Sequence, residues 1–177
     1  MTETQLQEYE AIVASVERGD DPYVVPEELV EEPEPPKPIN KSMYAVILAM
    51  AIGEKLKLAL KGNRDARMIL IRDSNQLIQR FVLLNPRITD DEILMIARNR
   101  NVEGEVLRKI GDHKYWPRNY QVKLSLVSNP KTPVSTAIHF VNTLAERDLR
   151  FLAKSKNVSA AVTSHAKRLL FYKGKKE

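Results

Sequence analysis

The chain has 177 residues, 43% of them hydrophobic but only 6% aromatic, with 6 glycines and no cysteine. That is enough apolar material for one core of ordinary size, and too few aromatic and turn residues for a β-sandwich or barrel. The missing thiols exclude a disulfide framework, a thiolate zinc site, an iron–sulfur cluster and a Cys nucleophile. The net charge of +5 conceals a split: residues 1–36 carry eleven acidic residues and one basic residue, Arg18, for −10, leaving +15 on residues 37–177. A body of that charge attracts acidic partners, and the chain's own N-terminal arm is the first candidate among them.

Residues 1–41 read as a disordered arm. Leu6, Tyr9, Ile12, Val13 and Val16 fall on one face of a short amphipathic helix at 3–18, too short to be stable alone. Residues 19–41 hold six of the ten prolines among five glutamates, a composition that reads as an extended acidic linker with polyproline character or as a docking peptide. The first residues show no basic segment followed by an apolar one, and the most apolar run, Met43 to Ile52, is about half the ~20 residues that a bilayer-spanning helix needs. A cytoplasmic chain with no membrane insertion is expected.

The folded part is expected over 42–177. Asn40 or Ser42 is placed to cap a long helix Met43–Lys61, apolar on nearly every side in its first half and so expected to be buried there, with Gly62-Asn63 ending it. Short helices are then predicted at 64–72, 76–84, 90–98, 102–110, 118–128, 133–142, 144–154 and 159–171. Thr89-Asp90-Asp91-Glu92 and Thr143-Leu144-Ala145-Glu146 fit capping boxes. Thr132 precedes Pro133 in the arrangement of a cap followed by a first helical proline, and Asn101 and Asn157 are placed to cap the helices after them.

Two joints share a pattern, Leu83-Leu84-Asn85-Pro86-Arg87-Ile88-Thr89 and Leu126-Val127-Ser128-Asn129-Pro130-Lys131-Thr132-Pro133. With Asn63 they space at 22 and 44 residues, which suggests a 22-residue unit with one degenerate joint near Leu107. The turns resemble the Asn-Pro-x-Thr-Pro turn of leucine-rich variant repeats, a family that belongs with HEAT-like repeats among the helical solenoids. The resemblance covers residues 55–171 and is complete only at the second turn; Ile88 and Thr89 depart from it at the first. It implies an all-α, right-handed α-solenoid of short stacked helices, and a general binding role. It transfers no catalytic residue, and the iron–sulfur cluster of one member type has no thiols here to hold it.

The stretch Asp112-His-Lys-Tyr-Trp-Pro-Arg-Asn-Tyr120 gathers the only Trp, two tyrosines, a histidine and two cations in one joint. Lys114, Tyr115, Trp116, Arg118 and Tyr120 are of the types that dominate interface hot spots or stack nucleic-acid bases, while Trp116 alone would equally well plug the turn. Arginines recur near helix ends. Arg72, Arg98 and Arg100 suit helix C-terminal carbonyls, and Arg80, Arg87 and Arg100 join the aromatic joint as candidate partner contacts. His113, His139 and His165 lie 26 residues apart, without the i, i+4 spacing of a helical metal site, and His139 reads as a core or boundary side chain. No Gly-rich phosphate loop, Ser-nucleophile motif or carboxylate pair occurs, so no catalytic residue, metal or cofactor is expected. The expectation is therefore a non-enzymatic interaction or scaffold module that offers a basic surface to an acidic protein partner, modulated by its own arm. The alternative is a nucleic-acid-binding solenoid, by analogy with HEAT-like glycosylases that hold duplex DNA.

Overall fold

The computed structural model describes residues 2–32 and 41–173. Among them there are eleven α-helices, two one-turn 3₁₀ helices and no strand. The chain forms two compact units, Met1–Ile88 and Thr89–Glu177. Most of the prolines of the linker, the Asn40 cap and the last residues of the basic C-terminus lie outside the described residues.

In the first unit, helix α1 (Glu3–Arg18) starts with Thr2 and Gln5 in a reciprocal capping box and ends at Gly19, whose φ of 80° favours glycine. Then come a 3₁₀ turn at Glu27–Leu29, α2 (Lys41–Ala49), α3 (Ile52–Lys61), α4 (Arg64–Leu70) and α5 (Gln76–Leu83). Helix α3 is the centre, packing against α1, α4 and α5, with Leu56, Leu58 and Ala59 fully buried.

Two expectations fail here. The helix foreseen at 43–61 is broken at Met50-Ala51, where Glu54 turns back and its carboxylate accepts the Ala51 N–H at 2.8 Å, starting a new helix. The first half is also far from buried: of α2 only Ile47 is inside, while Tyr44, Val46 and Leu48 stand 43–50% exposed. Hydrophobicity on every face gives a helix no means of choosing which side to cover.

The arm, too, departs from the free linker that its composition suggests. Residues 20–32 lie against α3 and α4. Lys57 donates to the Asp21 carboxylate at 2.8 Å and to the Tyr23 carbonyl at 2.6 Å. Gly53 makes room for the Tyr23 ring, into which any Cβ at that position would run. The Asn63 amide donates to the carbonyls of Glu28 and Glu31 at 2.8 and 2.9 Å, and its backbone N–H to that of Leu29 at 2.7 Å. Glu32 accepts the Arg64 N–H at 3.0 Å and pairs at 2.8 Å with Arg67, a guanidinium only 2% exposed. Proline and glutamate lower the arm's own folding tendency, but its carbonyls and carboxylates match donors that the helices leave open.

The second unit holds α6 (Asp90–Arg98), α7 (Gly104–Asp112), a 3₁₀ turn at Trp116–Arg118, α8 (Tyr120–Ser128), α9 (Val134–Val141), α10 (Glu146–Lys154) and α11 (Ala160–Lys173). Contacts run from α6 to α8, α8 to α9, α9 to α11 and α10 to α11, with α7 against α6 and α8. Helices two apart start 30, 30, 26 and 26 residues apart in this unit, wider than the expected 22, and Leu107 lies buried within α7 rather than at a joint.

Thr89 and Glu92 form the expected capping box. Other caps differ. Thr143 instead donates to the Phe140 carbonyl, α10 starting after Ala145. Pro133 itself holds the N-cap position of α9, leaving the Thr132 hydroxyl buried without a partner among the described residues. Glu103 precedes α7 and the Ser159 hydroxyl serves α11, so Asn101 and Asn157 only close the turns before them. His139 is exposed.

The Asn joints work by one device. Asn129, 5% exposed, donates its side-chain amide to the carbonyls of Ala97 and Asn99 at 2.8 and 3.0 Å, while its oxygen accepts the Lys131 N–H at 3.0 Å. Asn129→Ala leaves those groups unsatisfied in the interior and should cost ~1–3 kcal/mol, read as a lower urea midpoint with an unchanged denaturant slope. For the arm, the bond from Lys57 holds the Asp21 carboxyl below its ordinary pKa. A lowered carboxylate pKa adds stability above the ordinary value and loses it as pH falls through the folded one. Asp21→Asn should lower the amide-exchange protection factors of residues 20–32 at neutral pH, and acid below about pH 4 should lower those of the unsubstituted chain toward the variant's.

Candidate interaction surface

The joint between α7 and α8 is built on stacking. His113 follows the end of α7, and its ring lies on that of Trp116 with centroids 3.6 Å apart and planes 22° off parallel. The His113 Nδ1 accepts the backbone N–H groups of Tyr115 and Trp116, each at 3.4 Å, which in a neutral ring leaves the proton on Nε2. Trp116 is half-buried against this ring, within a turn that packs on α7 and α8. It organises the joint. Tyr115 faces out instead, 57% exposed, with Lys114 Nζ 5.4 Å and Arg118 Cζ 5.2 Å from its ring centroid. Cation–π attraction, about 0.5–1 kcal/mol at an exposed site, holds both cations beside one aromatic face.

The other expected contacts divide by location. Tyr120 is a tie rather than a surface residue: its hydroxyl accepts the Ala145 N–H at 3.0 Å and donates to Asp148, joining the starts of α8 and α10. Partial burial, then the bond to Asp148, raises the Tyr120 pKa. Arg87 donates to the carbonyls of Val30, Lys61 and Gly62, closing the C-terminus of α3. Arg80 shares a cleft of about 180 Å³ with Glu10 and Glu17 of α1, so the chain's own acidic helix flanks it. Arg100 lies in the second unit, in a groove of about 270 Å³ with Arg98, Gln121, Leu124, Ser125, Ser128 and Asn129.

Thus the sequence reading gathered eight residues, of which Lys114, Tyr115 and Arg118 form one exposed cluster and Arg100 belongs to a separate groove. It missed the buried Arg67–Glu32 pair, for which no local signal exists. It also missed the partners of Arg100 on α8, although Gln121, Leu124, Ser125 and Ser128 follow the i, i+3, i+4, i+7 spacing of a single helix face. Among the described residues no group of three or more His, Asp or Glu side chains could hold a metal ion, and no helix is long and apolar enough to cross a membrane. No protein-family model, no curated protein and no solved structure matches this chain.

The Tyr120 tie has a pH signature. Since folding raises its pKa, the stability it contributes is complete below the ordinary tyrosine value near 10 and is lost as pH rises through the folded value. Tyr120→Phe should lower stability at pH 7 by ~1–3 kcal/mol, through the unsatisfied Ala145 N–H and Asp148. It should also flatten the decline of the urea midpoint above about pH 10. An unchanged alkaline decline in the variant would assign that decline to other groups.

Proposed function

We propose that the chain is a non-enzymatic protein-interaction module, a right-handed α-solenoid in the cytoplasm that offers a basic, aromatic surface to an acidic protein partner. The observation that carries this reading is Tyr115, exposed between Lys114 and Arg118 on a joint that His113 and Trp116 make rigid. An exposed aromatic costs a monomer solubility, and tyrosine beside cations is the composition of binding hot spots. Residues 89–177 contain 17 basic and 9 acidic residues, a net +8 that steers acidic partners toward this unit.

The same cluster suits stacking on a nucleic-acid base, so the test separates the two. Fluorescence anisotropy of the full chain is measured with a labelled oligoglutamate peptide and with a labelled single-stranded oligonucleotide, at about 50 and 200 mM salt. Peptide binding that weakens about tenfold or more in the Lys114→Gln, Tyr115→Ala, Arg118→Gln triple variant is expected. Oligonucleotide binding alone, with a steep salt slope and the same loss in the variant, would replace this reading by nucleic-acid binding.

A further inference from the structure

The groove at the C-terminal end of α6 is a second site, distinct in its residues from the aromatic joint. One wall is the α8 face of Gln121, Leu124, Ser125 and Ser128; the other is Arg98 and Arg100. A helix C-terminus ordinarily repels anions, because its last carbonyls point outward unpaired. Here Asn129 removes much of that repulsion, since its side-chain amide occupies the carbonyls of Ala97 and Asn99.

The two arginines are left uncompensated. Arg98 does not turn back on its own helix end. Its Nε reaches the Ser125 Oγ at 3.4 Å, and Ser125 in turn spends its proton on the Gln121 carbonyl at 2.7 Å. That contact fixes the Nε edge and leaves both Nη groups without a partner among the described residues. Arg100 has none at all there. Elsewhere in the same unit Arg108 pairs with Glu105 and Asp112, and Arg150 with Glu146. Among the described residues no carboxylate lines the groove, whereas the Ser128 hydroxyl and the Gln121 side-chain amide add two neutral donors that no other described group uses.

We propose that this groove binds a phosphate monoester. Two arginines lining one groove match a group that carries about −1.5 to −2 charge near neutral pH and three acceptor oxygens. The space of about 270 Å³ exceeds the phosphoryl group itself and takes in the first atoms of its carrier, for which Leu124 supplies an apolar contact. A nucleic-acid strand fits less well, because successive singly charged phosphates need a track of cations and the groove holds only the adjacent two. The carrier is a free small phosphate or a phosphorylated side chain; both present the same chemistry.

The test is a titration of the full-length chain, followed by the NMR amide signals of Arg98, Arg100, Gln121 and Ser128. The probes are phenyl phosphate, a phosphoserine peptide, its unphosphorylated form and a dinucleotide phosphodiester. Saturable shifts with either monoester, weakened about tenfold or more by Arg98→Gln with Arg100→Gln, bear the proposal out, and preference for the peptide over phenyl phosphate identifies a protein carrier. Both arginines are exposed, so the substitutions should leave the melting temperature unchanged; Ser128→Ala gives a second, milder loss should they not. The triple variant of the aromatic joint should bind the monoesters as the unsubstituted chain does, so loss of one site is read separately from loss of the other. Absence of saturable shifts, equal binding of the diester, or monoester binding indifferent to both arginine and Ser128 substitutions would overturn the proposal.

Discussion

Three buried asparagines set the terms on which the helices of this chain meet. A short helix of eight to ten residues leaves nearly as many backbone carbonyls unbonded at its end as it bonds within. Burying such an end against a neighbour needs a donor from somewhere else in the chain. Asn63, Asn85 and Asn129, all at most 5% exposed, supply it. Each donates a side-chain amide to carbonyls 23–35 residues earlier, while its oxygen receives an N–H of its own turn. One side chain thus closes the end of one element and shapes the start of the next. Asparagine suits the role because it carries both a donor pair and an acceptor on a short stem; aspartate would set a charge against the carbonyls it is meant to satisfy.

The same logic explains how residues 20–32 of the arm are held. Asn85 reaches back to the end of α3, and Asn129 to the end of α6. Asn63, the first of the three, instead meets a single 3₁₀ turn whose carbonyls from Glu28 to Glu31 stand where a helix end stands at the other two joints. Glu32 completes the substitution by accepting the first N–H of α4 and neutralising the buried Arg67. Residues 28–32 therefore supply, from one short segment, the acceptors that the start of α4 needs.

What was legible in the sequence follows from range. The start of α6 was readable because Thr89 and Glu92, which satisfy each other's backbone groups, lie three residues apart. The start of α10 was not, because the hydroxyl that receives the Ala145 N–H belongs to Tyr120, 25 residues away. The Asn joints can be seen as recurring turns, but not the carbonyls they seek, which lie 23–35 residues earlier. The apolar run of α2 misled for a related reason: composition reports what a helix would tolerate burying, and only the neighbours decide what is covered. In the candidate surface, the cluster at 113–118 was visible because its members are adjacent in sequence. The groove of Arg98 and Arg100 was not, because its second wall lies on another helix.

Charge tells most when it is counted after internal neutralisation. In the first unit Lys55 pairs with Asp73, Lys57 with Asp21 and Arg67 with Glu32, and Arg87 is spent on carbonyls. Two of those three acidic partners come from the arm. Asp21 and Glu32 of the arm are thus used at particular donors of α3 and α4. In the second unit Arg98, Arg100, Lys114 and Arg118 meet no carboxylate among the described residues. Composition therefore overstates the charge left open near α3 and α4, where these pairs have already consumed it.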